Sequence, residues 1–162
     1  MTQPTIPHRI FPLGDAAFSI EFQNESLVEA NEHVHFFQQY INQNPIPFIR
    51  SLVPAYRTLT CHIDLKELVF SNGRLSDVIN QVQELLVAKP SLPSSEGILH
   101  QIPVRYDIQI AQDLASALRQ TGLSHSEFIA LHTKPIYRVF MLGFLPGFGY
   151  LGEVDPKIQL PR

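Results

Sequence analysis

One candidate for chemistry is the pair of neighbours Tyr56 and Arg57, which follow Val53-Pro54-Ala55 at the end of a short strand candidate. A phenol and a guanidinium together can hold a carboxylate or a planar group by hydrogen bonding and stacking. The alternative is that Tyr56 packs against its surroundings while Arg57 is solvated. The pair is therefore a candidate binding element, and both interpretations stay open.

A second candidate is His132, near the end of a short predicted helix and just before a strand. Imidazole titrates near neutrality, so this side chain is a candidate catalytic acid or base. A histidine in this position can equally interact with the carbonyl groups at the helix C-terminus. We carry His132 forward as the candidate catalytic residue.

The third feature is the Gly/Pro/aromatic stretch at residues 143–152, which begins Gly143-Phe144 and continues through Pro146-Gly147-Phe148. Several aromatic rings on a Pro/Gly frame predict either a tight corner buried against a barrel or the wall of a groove for a ligand or partner. The glycines let the backbone approach a ligand closely. These five residues join the Tyr-Arg pair as candidate substrate-binding residues.

Two other patterns are weaker. Residues 147–152 match GxGxxG, but a dinucleotide site needs a helix there and Pro156 prevents a regular one; the chain also has no GxxxxGK[ST] loop. Residues 114–129 resemble a helix-turn-helix, yet they lack basic and amide side chains for bases and phosphates. With a net charge of −3, we expect no nucleic-acid binding and two short capped helices packed on a sheet, the DNA binder being a remote alternative.

The seven histidines form no HxxxH or HExxH pair, and His33 and His35 point to different sides of a helix, so we expect no metal site. Cys61 lies on an apolar strand face, which favours a core residue over a nucleophile. A single cysteine excludes an internal disulfide framework and indicates a reducing compartment, so we expect a cytoplasmic protein. The apolar runs are shorter than the ~20 residues of a membrane span, and the N-terminus is unlike a signal peptide.

Hydrophobic periodicity indicates which elements hold these residues. Alternation predicts strands at residues 16–22, 49–53, 58–64 and 98–106, and helical spacing predicts helices over residues 27–42 and 75–86. This β-α-β-β-α-β order is that of a ferredoxin-like α+β sandwich. Further helices are expected at 111–120 and from a capping box at 124–127, with a strand at 136–142. Alternatively, residue 98 opens a second domain after the Pro/Ser-rich segment 89–97, and we favour that division.

Taken in order, several segments resemble one bacterial family. The most specific is Tyr137-x-Val139-x-x-Leu142-Gly143-Phe144-x-Pro146-Gly147-Phe148-x-Tyr150-Leu151-Gly152, and the collinear others are Pro12-Leu13-Gly14-Asp15-Ala16, Val53-Pro54-Ala55-Tyr56-Arg57, Ile102-Pro103-Val104-x-Tyr106, Glu127-x-Ile129-x-Leu131-His132 and Leu160-Pro161-Arg162. The family is that of the 5-oxoprolinase B subunit, also called allophanate hydrolase subunit 1 or KipI-type histidine kinase inhibitor. The same module occurs in the carboxyltransferase region (subdomains C and D) of urea carboxylase.

The resemblance implies an N-terminal α+β domain at residues 1–92 and a cyclophilin-like β-barrel at 93–162, incomplete because relatives continue beyond Arg162. It implies an ATP-dependent complex that opens 5-oxoproline to glutamate, or a related allophanate hydrolase or carboxyltransferase. The expected partners are the 5-oxoprolinase C subunit (KipA-type) and a LamB/YcsF-type subunit, with ATP bound through the complex and no cofactor site identifiable on this chain. The alternative is a regulatory inhibitor of a sensor histidine kinase. We expect the chain to be inactive alone.

Overall fold

The computed structural model of the chain describes residues 6–88 and 97–161. Its first half contains the strands β1 (His8–Pro12), β2 (Ala17–Phe22), β3 (Ile49–Pro54) and β4 (Thr58–Ile63). The helices of this half are α1 (Leu27–Gln43), α2 (Leu65–Phe70) and α3 (Leu75–Ala88). The strands form one antiparallel sheet in the order β1-β2-β4-β3. The expected α+β class is therefore confirmed.

One predicted strand is wrong. Residues 97–106 lie in no helix or strand, and the sheet position beside β2 is taken by β1, which the alternation pattern did not reveal. The order in the described residues of this half is thus β-β-α-β-β-α-α and not β-α-β-β-α-β. Strand β1 pairs along its whole length with β2 because the turn at residues 13–16 folds it back, with the Leu13 amide donating to the Ala17 carbonyl at 2.8 Å.

The main hydrophobic core lies between this sheet and its helices. Alternate residues of β2, namely Phe18, Ile20 and Phe22, are almost fully buried, as the alternation predicts. Ser26 is the N-cap of helix α1, and its hydroxyl accepts a hydrogen bond from the Glu29 amide. Every member of the buried cluster comes from the segment between Ile6 and Leu86. The first half therefore builds its core from its own residues.

The second half contains α4 (Leu114–Thr121), α5 (His125–Thr133) and a hairpin of β5 (Val139–Leu142) and β6 (Gly149–Leu151). A 3₁₀ turn follows at Pro156–Ile158, and α4 and α5 make their main contacts with it. The capping box predicted at the start of α5 is present in both directions between Ser124 and Glu127. Gly122, at φ 69°, ends α4 in the left-handed conformation.

The domain boundary near residue 92 falls outside the described residues and stays a prediction, as does the cyclophilin-like barrel. Several large apolar side chains of the second half are exposed, among them Ile98, Ile102 and Ile136. None of the helices in the described ranges is long and apolar enough to cross a membrane.

Candidate functional site

Tyr56 and Arg57 lie in the tight turn between β3 and β4, which the Ala55 amide closes by donating to the Thr58 carbonyl at 2.8 Å. The Arg57 carbonyl accepts a hydrogen bond from the Phe22 amide at 2.9 Å, so the turn is attached to the end of β2. Both side chains are half-buried. The Arg57 guanidinium has no hydrogen bond or ion pair with any other residue that the structure describes.

The predicted loop reaches the Tyr56 ring through a chain of aromatic contacts. Tyr56 packs on Phe140 with centroids 5.4 Å apart and on Tyr150 at 6.3 Å. Tyr150 contacts Phe148 at 5.3 Å, and Phe148 contacts Phe144 at 5.7 Å. We call these five rings the aromatic row. The row thus brings together Tyr56 and Phe140, which are 84 positions apart in the chain. Two of the three features found in the sequence, the Tyr-Arg pair and the Gly/Pro/aromatic stretch, therefore belong to one site.

The loop at residues 143–148 is a tight hairpin connection. Its frame is a turn over Leu145-Pro146-Gly147-Phe148, in which the Phe148 amide donates to the Leu145 carbonyl at 3.0 Å. Pro at the second position and Gly147 at φ 78° at the third are the features of a type II turn. The Gly143 amide closes the loop on the Phe148 carbonyl at 3.1 Å. Gly147 supplies the positive φ that this turn requires.

Phe144 has an unusual backbone in this loop. Its φ is 67°. The residues on either side of it are hydrogen-bonded, because the Leu145 amide donates to the Gly143 carbonyl at 2.8 Å. These are the features of the γ-turn with positive φ, which is rare and strained for a residue with a side chain. The ring is nonetheless 81% exposed, so packing does not explain the strain. Strain of this kind concentrates at functional sites, which supports Phe144 as a binding residue.

The buried Asn31 of α1, which the sequence analysis missed, joins the turn to the hairpin. Its side chain is 0% exposed, and its Nδ2 donates to the carbonyls of Tyr56 at 3.0 Å, Phe140 at 3.1 Å and Ala55 at 3.2 Å. Its Oδ1 accepts from Arg138 Nε at 3.4 Å. The available signal was a polar residue on the apolar stripe of a predicted helix, because a buried amide needs partners.

His35, one helical turn after Asn31, is the second missed residue. Its Nε2 lies 3.1 Å from the Phe140 carbonyl, and because a carbonyl only accepts, Nε2 carries the proton. His33, by contrast, stacks on Phe22 at 5.5 Å, so the two histidines do point to different sides of α1 as predicted. In the described ranges no group of three or more His, Cys, Asp or Glu side chains is arranged to hold a metal ion.

His132 belongs to a different cluster. Its Nδ1 is 2.5 Å from the Tyr106 hydroxyl, and its ring packs with Phe128 and Tyr137 at 6.5 and 5.8 Å. Burial raises the pKa of both tyrosines above 10.0, so both hydroxyls stay protonated at neutral pH. His125, on the same helix, lies 2.8 Å from the Tyr106 carbonyl through its Nε2. None of the ring contacts between described residues joins this cluster to the aromatic row.

The structure also decides the remaining sequence patterns. Cys61 is buried in the core, and burial raises its thiol pKa to about 12, so it is a core residue and not a nucleophile. The GxGxxG match at 147–152 lies on strand β6 and its flanks, without the helix a dinucleotide site needs. The helix-turn-helix resemblance corresponds to a real helix pair, α4 and α5, which contacts the 3₁₀ turn.

The chain is thus an α+β protein whose aromatic row lies between the β3–β4 turn and the β5–β6 hairpin. Residues 8–162 match the family model of the carboxyltransferase domain, subdomain C and D, and the chain belongs to this family. The resemblance stated from the motifs is thus confirmed.

Curated relatives carry one name. The chain is 32% identical to the 5-oxoprolinase B subunit of Bacillus subtilis (strain 168) over 163 residues, covering 98% of this chain and 68% of that protein. It is 31% identical to the 5-oxoprolinase B subunit of Haemophilus influenzae over 122 residues, covering 70% of this chain and 57% of that protein.

Among solved structures, the crystal structure of TTHA0988 is similar with a TM-score of 0.72 and 35% identity, covering 90% of this chain and 27% of that one. The chain thus spans about a quarter of the length of that structure and between 57% and 68% of those two curated relatives.

Proposed function

We propose that the chain acts as a subunit of an ATP-dependent 5-oxoprolinase-type complex, which opens 5-oxoproline to glutamate, or of a related allophanate hydrolase or carboxyltransferase. The observation that carries this proposal is the aromatic row together with the half-buried Arg57, which directly follows Tyr56 of the row and has no ion pair with the described residues, in a chain whose relatives are named as 5-oxoprolinase B subunits. The row supplies a wall for a small planar ring. The guanidinium supplies a positive charge for the carboxylate that such a ring carries.

The substrate's chemistry matches these groups. 5-Oxoproline is a five-membered lactam that carries one carboxylate. Arg binds carboxylates with two parallel charge-assisted hydrogen bonds, and an aromatic face packs well on a flat ring. In this arrangement Arg57 orients the carboxylate, and Tyr56 with Phe148 bounds the ring. Gly143, Phe144, Pro146 and Gly147 hold the Phe148 end of the wall.

We further propose His132 as the acid or base that moves a proton at the lactam nitrogen. Its support is the second ring nitrogen: the Tyr106 hydroxyl bonds to Nδ1, which leaves Nε2 without a hydrogen-bond partner among the described residues. A histidine with one nitrogen held and the other free is oriented for proton transfer. Because none of the ring contacts between described residues joins His132 to the aromatic row, this assignment is independent of the one made for Arg57 and has its own test.

ATP is a substrate of the proposed complex, and the described residues of this chain do not fit a phosphate cradle. The glycines at 147–152 flank strand β6, and in the described residues that follow there is only a three-residue 3₁₀ turn and no α-helix N-terminus. We therefore place ATP binding on the partner subunits and derive no step through it on this chain.

The partner surface proposed is the tip of the second hairpin. Leu142, Phe144 and Leu145 are all more than half exposed there, and contiguous exposed apolar side chains mark interaction sites. We propose that the 5-oxoprolinase C subunit (KipA-type) covers this tip, with a LamB/YcsF-type subunit completing the complex.

The test is reconstitution with these partner subunits and measurement of 5-oxoproline-dependent ATP hydrolysis and glutamate formation. Loss of a charge-assisted bond to a carboxylate is worth roughly 1.5–3 kcal/mol, so Arg57→Gln should lower kcat/KM about 10- to 100-fold. Arg50→Gln, at an exposed position of β3, is the matched control and should retain wild-type values. Equal values for the two variants would remove Arg57 from the site, and no activity in the wild-type complex would end the proposal.

His132→Ala tests the second residue in the same assay. It should lower kcat by about 100-fold or more, the usual contribution of general acid–base catalysis. His62→Ala, at an exposed position of β4, serves as the control. A His132→Ala complex with wild-type kcat would take this histidine off the catalytic assignment.

The alternative proposal, inhibition of a sensor histidine kinase, is supported by the self-contained core of the first half, which would allow that half to act alone. Residues 6–88 added to a purified kinase should then suppress its autophosphorylation. Unchanged autophosphorylation at saturating concentration would eliminate this alternative.

A further inference from the structure

We propose that Asn31 and His35 are positioning residues, which set the aromatic row from helix α1 through the backbone of Tyr56 and Phe140. The inference rests on the proposed function for its activity readout. Both residues form their hydrogen bonds to the row with the backbone carbonyls of Tyr56 and Phe140.

The hydrogen-bond arithmetic of Asn31 is the first argument. Its amide has two protons but faces three carbonyl oxygens within 3.2 Å, those of Ala55, Tyr56 and Phe140. The protons are therefore shared between the β3–β4 turn and β5. Arg138 Nε donates to the amide oxygen, which fixes the orientation of the amide. One fully buried side chain thus joins the two segments that carry the contacting rings of Tyr56 and Phe140.

The pairing of the second hairpin is the second argument. Val139 pairs with Leu151 and Met141 pairs with Tyr150, so Phe140 is an extra residue with no partner in β6. Such a bulge bends the strand and redirects a side chain, and bulges are common beside active sites. The Phe140 carbonyl is bonded by both Asn31 and His35, and the Phe140 ring lies on Tyr56. Helix α1 therefore holds the bulge in the position that forms the row.

The His35 contact can be tested with nearly isosteric variants. A Gln amide nitrogen occupies about the position of the imidazole Nε2, whereas an Asn amide is one methylene too short. His35→Gln should therefore preserve the bond to the Phe140 carbonyl, and His35→Asn and His35→Leu should lose it. His62→Leu, an exposed histidine on β4, is the control for general effects of removing an imidazole.

The first measurement uses the chain alone, with Tyr and Phe labelled for NMR. The Tyr56–Phe140 ring cross-peaks should be present in wild type, His35→Gln and His62→Leu. In His35→Asn and His35→Leu these cross-peaks should lose most of their intensity. Cross-strand peaks between β2 and β4 report whether the fold is retained. Unchanged Tyr56–Phe140 peaks in both disruptive variants, or their loss in His35→Gln with the fold intact, would overturn the inference.

The second measurement is the 5-oxoproline KM of the reconstituted complex. A displaced wall weakens substrate binding, so His35→Asn should raise KM about five- to tenfold with kcat within about twofold, as expected for loss of one positioning hydrogen bond. Partial unfolding would instead lower the apparent kcat at constant KM, and that result would contradict a positioning role. If the wild-type complex does not act on 5-oxoproline, the proposed function fails, and the ring cross-peaks still decide the positioning role.

Discussion

Because Gly147 is the third residue of a type II turn in the candidate site, we expect Gly147→Ala to destabilise the β5–β6 hairpin. Gly147 has φ 78°, and a Cβ built on it meets nothing within 4 Å, so the substitution causes no clash and its effect is purely conformational. An L-residue in the left-handed region costs about 1–2 kcal/mol. The gain from a stiffer unfolded chain offsets about 0.4–1 kcal/mol of this. The hairpin should therefore lose about 1 kcal/mol, or about fivefold in local opening.

Amide hydrogen exchange at Gly143 measures this loss, because its N–H donates to the Phe148 carbonyl at 3.1 Å and closes the loop. Gly143 lies four residues from the substituted position, so the intrinsic exchange rate of its amide is unaltered by the substitution. Gly149→Ala is the matched control in the same hairpin, since its φ is not positive and its Cβ would make ordinary contact with Val139 Cγ1 at 3.5 Å. Equal protection of the Gly143 amide in the two variants would refute the turn assignment.

Three further predictions follow from the rest of the fold. Cys61, whose pKa is raised to about 12 by burial, should not react with a thiol reagent at pH 8 in the folded protein, and its labelling should follow global unfolding; rapid labelling would contradict its place in the core. The pKa of Glu127 lies below its ordinary value of 4.5 because the Ser124 hydroxyl and amide donate hydrogen bonds to its carboxylate. The contribution of this cap to the stability of α5 is therefore complete above pH 4.5. It is lost as the pH falls through the lowered pKa. The protection factor of the Ser124 amide, which is the intrinsic exchange rate divided by the observed rate at the same pH, should then fall in acid for wild type and show no such step in Glu127→Gln. Phe37→Ala should lower the free energy of unfolding by about 3–5 kcal/mol in denaturant titrations, because the ring is 1% exposed and stacks on Phe22; a loss below about 1 kcal/mol would contradict this packing.

The elements that sequence predicts well here are those whose signals are local. The Ser124–Glu127 capping box predicts the start of a helix from four consecutive residues, and α5 begins there in the structure. The alternation of β2 is equally local, because a strand half-buried against one core needs every second residue to be apolar.

The failures concern partners that are distant in sequence. Residues 98–106 alternate like a strand, yet in the described part of the chain the position beside β2 is filled by β1. A strand exists only when an edge is available to pair with, and alternation cannot say which of two segments takes that edge. Phe140 is a bulge for the same reason, since its status depends on the register with β6.

The sequence by itself determined the α+β class, the family and the residue types at the site. Only the tertiary structure decided that Tyr56 and the loop at residues 143–148 share one aromatic row, that His132 belongs to another cluster, and that Asn31 holds the row in place. The physical reason is that Asn31 bonds to backbone carbonyls up to 109 positions away. Carbonyls are common to all residues, so no side-chain pattern in the sequence identifies which of them a buried amide will bind.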